Sequence, residues 1–173
     1  MFNKKLAIVG ASGAVGRVFI ELLDEMYPGT KDLFLVASKR SAGRSMFCGK
    51  QEFIIQDIEE FDFSQVEIAF FSAGAETAEK YAPIAVSKGC TVIDNSSQFR
   101  TDLDKPLIVP EVNSKDLKNF KLPGIIANPN CSTAQLVVAL KPIHDLFKIE
   151  RVDVASYQSV SGTGTVSYTH LTL

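Results

Sequence analysis

Apolar positions in this 173-residue chain fall into short runs set between glycine-rich or polar turns. Lys5 to Val9 is a brief apolar run ending at a glycine, the pattern of a strand buried on both faces of a parallel sheet. After Gly10-Ala-Ser-Gly13-Ala-Val-Gly16, the residues Val15, Val18, Phe19, Leu22, Leu23 and Met26 repeat at helical spacing until Pro28-Gly29. Leu33 to Ala37 predicts a second strand. Cys48 lies in a glycine-containing, hairpin-like stretch, with Phe53 to Ile58 as the next strand. Val66 to Phe71 is a stronger strand and ends in Ser72-Ala73-Gly74. Glu76 to Lys88 predicts a helix that Pro83 kinks or restarts, and Gly89 ends it. Cys90 to Asp94 reads as a strand and Lys115 to Phe120 as a short helix. Ile125 to Ala127 then leads through Asn-Pro-Asn to Cys131, which opens a helix running to about Leu140, before Pro142. Arg151 to Ser161 alternates as a strand, with Val152, Val154, Ser156, Gln158 and Val160 on one side. That would turn Gln158 toward the centre that Cys131 faces.

Composition narrows the class. A hydrophobic content of 46% promises a real core and rules out wholesale disorder. The net charge of −2, with no basic block, lacks the electrostatic footprint of a nucleic-acid binder. No apolar run approaches the roughly 18 residues of a membrane span, and the N-terminal segment is too short for a signal peptide. Cys48, Cys90 and Cys131 are odd in number and lack CxxC spacing, so neither a disulfide framework nor a metal site is indicated. A reducing cytoplasm fits that usage.

Strands alternating with helices predict an α/β fold with a Rossmann-like, doubly wound, mostly parallel sheet. Within it, a glycine loop between strand and helix can cradle a pyrophosphate. Gly10, Gly13 and Gly16 let the backbone approach the phosphates, while the helix N-terminus supplies N–H donors and positive potential. The spacing is GxxGxxG rather than the commoner GxGxxG. NAD-selective versions carry an acid near the end of the second strand. Here that place holds Ser38-Lys39-Arg40-Ser41-Ala42-Gly43-Arg44 without a carboxylate, which suits the 2′-phosphate of NADP(H). The alternative is a solvated basic loop. Ser72-Ala73-Gly74, at a strand's C-terminal end, sits where doubly wound sheets bind ligands.

Cys131 opens a helix, so the dipole and the unpaired first-turn N–H groups favour a thiolate. Those same groups can donate to an oxyanion formed when the sulfur attacks a carbonyl. A buried structural cysteine is the competing reading. Arg100, in the polar turn Asn95-Ser-Ser-Gln-Phe-Arg, offers a planar fork for carboxylate or phosphate, or is simply a surface residue. His144 reads as a helix cap or surface group.

Together these stretches resemble the aspartate-β-semialdehyde dehydrogenase family, in particular its bacterial branch. The matching segments are Val9–Gly16, Ser38–Gly43, Phe71–Gly74, Asp94–Arg100, Val109–Asn113, Asn128–Thr133 and Tyr157–Gly162. Asn-Pro-Asn-Cys-Ser-Thr with Gln135 two places on is the specific signature. The resemblance implies NADPH-dependent reductive dephosphorylation of L-aspartyl-4-phosphate to the semialdehyde, on the route to lysine, methionine and threonine. Cys131 matches the nucleophile that forms a thioacyl enzyme, Asn130 the residue that helps hold the acyl oxygen, and Gln158 the glutamine that orients the substrate. Arg100 matches the phosphate-binding arginine, with Asn95 beside it at the substrate. Gly10, Ser12, Gly13, Ala14, Val15 and Gly16 match the pyrophosphate loop. Ser38, Arg40 and Ser41 match the 2′-phosphate contacts, and Ser72, Ala73 and Gly74 a turn near the nicotinamide.

The implied organisation is an NADP-binding domain over residues 1–130 and the start of an α+β catalytic and dimerisation domain over 131–164. Residues 165–173 depart from the family and read as a non-native tail. The family's acid/base histidine, matched by neither His144 nor His170, and its substrate-carboxylate arginine have no counterpart here, so this chain is expected to lack full activity. Family members imply a homodimer or homotetramer and small-molecule partners only. An N-acetyl-γ-glutamyl-phosphate reductase shares the thioacyl logic but carries a proline soon after its cysteine, where this chain has Ser132-Thr133. A glyceraldehyde-3-phosphate dehydrogenase would show a different cysteine motif and an acid-ended second strand. A non-catalytic NADP-binding module is the reading from another class.

Overall fold

The structure, a computed structural model, describes residues 4–158. The end of the Tyr157–Gly162 motif, Val160, His170 and the 165–173 segment lie outside the described residues.

Seven strands form one sheet in the order β3-β4-β2-β1-β5-β6-β7. The strands are β1 Leu6–Val9, β2 Leu33–Ala37, β3 Ser45–Cys48, β4 Gln51–Asp57, β5 Ile68–Phe71, β6 Thr91–Asp94 and β7 Ile125–Ala127. All pairings are parallel except β3 with β4, an antiparallel hairpin with Cys48 opposite Gln51. The helices are α1 Ala14–Met26, α2 Ala75–Ser87, α3 Pro110–Asn113 and α4 Cys131–Phe147.

Strand alternation divides the core into two layers. Leu6, Ile8, Leu33 and Leu35 face Ile20 and Leu23 of α1, with Phe53, Ile55 and Cys48 closing that side. Ala7, Val9, Val36 and Phe71 face the opposite way, toward Ala78, Ala82 and Ala85 of α2 and the aromatic group Phe61, Phe63 and Phe99. The alanine stripe lets α2 lie close to the sheet. Helices therefore cover both faces at the sheet centre, which is why β1 and β2 are apolar throughout rather than alternating.

At the β6–β7 edge the covering is one-sided. Val92 is fully buried on the α2 side, whereas its neighbour Ile93 is 36% exposed on the other. The helix that follows β7 buries none of its residues.

Several expectations are corrected. α4 does not stop before Pro142 but continues to Phe147, ending where Lys148 turns left-handed at φ 57°. Pro142 removes only the bond to the carbonyl of Val138, an exposed residue whose carbonyl water can satisfy. α2 likewise runs unbroken through Pro83. Lys115–Phe120 is not an α-helix: a 3-10 segment, Ser114–Asn119, follows directly from α3. Residues 151–158 have no strand partner and are exposed, so the strand predicted from Arg151 does not form in that part. Alternation alone makes no ladder without a neighbouring edge to pair with.

Candidate active site

The turns singled out in the sequence gather on one rim, at the C-terminal ends of the parallel strands. β1 pairs with β2 on one side and β5 on the other, so chain progression reverses at β1. Such a switch point opens a crevice above the sheet. The Gly10 loop leaves β1, the Ser38–Arg44 loop leaves β2, and Ser72-Ala73-Gly74 leaves β5.

Gly10 is the glycine of the loop that sits at a positive φ, where side chains are strained. Its φ is 89°, and a Cβ there would lie 2.5 Å from the carbonyl oxygen of Ser72. The Gly10 N–H donates to the Val36 carbonyl at 2.8 Å and that of Ser72 to Val9 at 2.8 Å, so three strand ends are stitched beneath the crevice. At Gly16 a Cβ would meet the Gly10 carbonyl oxygen at 2.4 Å, which explains how closely α1 sits on the turn. Gly13 is the N-cap of α1 and provides no side-chain cap. Among the described residues, the N–H groups of Ala14 and Val15 have no partner at this helix end, and Ala14 and Val15 are exposed. Unclaimed donors, positive helix potential and a backbone cradle fit a dinucleotide pyrophosphate.

The second-strand loop joins this crevice through a side-chain bond. Ser12 Oγ donates to Ser41 Oγ at 3.1 Å, and the Ser41 N–H bonds the Ser38 carbonyl at 2.8 Å. Ser41 is buried, whereas Lys39 and Arg40 are exposed at the loop tip.

Beyond β5 the rim continues with the ends of β6 and β7. Asp94 is fully buried, and its carboxylate accepts from the Ser96 N–H at 3.0 Å and the Ser96 hydroxyl at 2.7 Å. Burial pushes its carboxyl above the usual range, opposed by the Ser96 bonds and by Arg100. Arg100 is half-buried and spans both turns: Nε donates to the Asn128 carbonyl at 2.9 Å and Nη2 to the Asn95 carbonyl at 3.0 Å. The Asn128 side-chain amide donates to Asn95 Oδ1 at 2.7 Å, and the Asn128 N–H to the Asp94 carbonyl at 2.8 Å.

Cys131 is exposed at the first position of α4, while Cys48 and Cys90 are buried. Burial pushes the Cys90 thiol up to about 12. Burial also raises that of Cys48, with Asp24 adding to it. Asn130 is the N-cap: its side-chain oxygen accepts from the Thr133 N–H at 2.9 Å. The N–H groups of Cys131 itself and of Ser132, next in the chain, have no acceptor among the described residues.

The rim thus holds Gly10, Ser12, Gly13, Ala14, Val15, Gly16, Ser38, Arg40, Ser41, Ser72, Ala73 and Gly74 on one part, and Asn95, Arg100, Asn130 and Cys131 on the other. Gln158 is not brought in. It is exposed on a segment without regular structure and has no hydrogen-bond partner among the described residues. Sequence reasoning missed Asn128, whose side-chain partner is 33 residues away, and Asp94, whose carboxylate shapes its own turn through Ser96. It also missed the capping role of Asn130, although an asparagine directly before a helix was signal enough. Among the described residues no helix is long and apolar enough to cross a membrane.

The chain is similar to known proteins in both sequence and fold. The family described as "Semialdehyde dehydrogenase, NAD binding domain" matches residues 5–120. An aspartate-semialdehyde dehydrogenase of Shewanella violacea is 54% identical over 167 residues, covering 96% of this chain and 49% of the relative. The crystal structure of aspartate semialdehyde dehydrogenase II from Vibrio cholerae, complexed with ASA, superposes with a TM-score of 0.91 at 50% identity. It is matched over 96% of this chain and 50% of that one. The Candida albicans enzyme, crystallised with NADP, gives 0.71 at 31% identity, over 84% and 48% of the two chains. The chain spans about half the length of the curated relatives it matches.

Proposed function

Because the chain belongs to the aspartate-semialdehyde dehydrogenase family, we propose that it carries the cofactor site, nucleophile and phosphate-binding arginine of an enzyme reducing L-aspartyl-4-phosphate to the semialdehyde. The observation that supports this most is the pairing of an exposed cysteine at a helix start with an arginine tied to the same β7–α4 turn.

In this reading the Cys131 thiolate attacks the acyl-phosphate carbonyl, a C–S bond forms, and the C–O bond to phosphate breaks. Inorganic phosphate leaves with the bonding electron pair, and the acyl group remains on sulfur as a thioester. The Cys131 and Ser132 N–H groups take the oxyanion charge as it develops. Arg100 receives the phosphate through the N–H groups its two carbonyl contacts leave over. Asn130 contributes by holding the helix start, its side-chain oxygen being occupied by Thr133. When bound, a nicotinamide dinucleotide would supply a hydride to the thioester carbonyl, the C–S bond then breaking to release the aldehyde and return the Cys131 thiolate. The Gly10–Gly16 loop would hold its pyrophosphate, and Ser72-Ala73-Gly74 would flank its nicotinamide end.

NADP is the cofactor we favour, because the loop after β2 carries Lys39, Arg40, Arg44 and hydroxyls but no carboxylate. Fluorescence titration should give tighter binding of NADPH than of NADH, and Arg40→Ala should narrow the gap about tenfold. Equal affinities for the two in the unaltered chain would remove the 2′-phosphate assignment.

The nucleophile has its own test. Iodoacetamide at neutral pH should modify Cys131 on the order of a hundredfold faster than Cys48 or Cys90, read by peptide mass spectrometry. Comparable rates at all three would argue against a reactive Cys131. Lysine, methionine and threonine biosynthesis and a cytoplasmic setting belong to this proposal, as does a homo-oligomeric whole protein.

A further inference from the structure

The strands β6 and β7 are joined above the sheet by a bond that needs no ligand to form. Asn128 Nδ2 donates to Asn95 Oδ1 at 2.7 Å, across residues 33 apart in sequence. The two carbonyls that Arg100 grips belong to these same two residues. Spacing between the turns therefore sets the spacing between the acceptors, and so the direction of the guanidinium. Beneath them, the Asp94 carboxylate pins the Ser96 N–H and hydroxyl, and Ser96 Oγ accepts from the Gln98 N–H at 3.1 Å. The loop between Asn95 and Arg100 is thereby shaped from within.

We infer that Asn95 and Asn128 form an amide clasp that acts as a positioning device for Arg100, setting its phosphate affinity without touching the phosphate. The clasp rests on the reading above that Arg100 receives phosphate. An arginine side chain has several rotatable bonds, and holding it in one geometry before the anion arrives removes an entropic cost of binding. Two backbone acceptors fix the inner edge of the fork, and its outer N–H groups stay available. With the clasp cut, the acceptors drift apart and the fork must be ordered by the anion itself.

The test uses the 173-residue chain labelled with ¹⁵N-arginine: calorimetry reads its affinity for inorganic phosphate, and the Nε–H resonance of Arg100 reports exchange in every variant that keeps the arginine. Asn128→Ala and Asn95→Ala should each weaken phosphate binding about fivefold and speed solvent exchange of the Arg100 Nε–H. The double variant should be no worse than either single one, because both cut the same bond. Asn95→Asp keeps an acceptor for the Asn128 amide and should restore slow exchange, an outcome that a general loss of packing would not give. If Arg100→Ala abolishes phosphate binding while both alanine variants leave affinity and exchange unchanged, the clasp has no positioning role. Additive losses in the double variant would overturn it as well. If Arg100→Ala leaves phosphate affinity intact, the phosphate reading itself fails, and the exchange rates still report separately on the clasp.

Discussion

Two corners of this molecule are built alike, strand to tight turn to helix, and they finish their helix starts in opposite ways. Where β1 meets α1, the cap is Gly13, which contributes no side chain, and the first N–H groups stay unclaimed. Where β7 meets α4, Asn130 takes up the Thr133 N–H and leaves those of Cys131 and Ser132. An uncapped start costs stability, since its exposed first donors are met only by water until a ligand arrives. A capped start keeps the helix in place and restricts the free donors to those of the cysteine and the residue after it. The difference suits a diffuse dianionic group at one corner and a single developing oxyanion at the other.

The largest effect that would break this comparison is expected at Gly10. Gly10→Ala places a methyl group against the Ser72 carbonyl at a positive φ and should destabilise the fold by about 3 kcal/mol. Gly13 has φ −74°, and a Cβ there would stand 3.2 Å from the nearest atom. Gly13→Ala should therefore cost less than about 1 kcal/mol. Denaturant melts of the two variants measure the gap, and equal losses would mean the glycine turn is not set by the approach to Ser72.

A smaller effect sharpens the other corner. Asn130→Ala should lower stability by about 1 kcal/mol through loss of the cap, while Asn130→Asp should retain most of it. If alanine and aspartate behave alike in thermal unfolding, Asn130 is not serving as a cap.

Legibility in the sequence followed how local the determining forces were. Leu33–Ala37 was found to the residue, because apolar runs in a parallel sheet are bounded by polar turns that chemistry marks plainly. The glycine loop, the end of β2 and Cys131 were legible for the same reason. Pro142 misled, because a proline disfavours a helix only by the bond and space it removes, and the exposed Val138 carbonyl loses little. Val152 and Val154 misled in the other direction, for a strand depends on a neighbour that periodicity cannot supply. The Asn95–Asn128 bond was out of reach, since the two turns become adjacent only once β6 and β7 pair in parallel. Asp94, too, read as a strand-ending residue rather than as the buried anchor of a loop.

That the turns of the candidate site lie on one rim has a practical consequence for handling the protein. The opposite rim carries the connections around Gly29 and Gly89, where a Cβ would meet nothing within 4 Å. The exposed Lys31 and Lys88 flank these bends. Tethering through either lysine would orient the molecule on a support with its crevice turned outward. A sensor surface made that way would present one uniform face to small molecules in the flow.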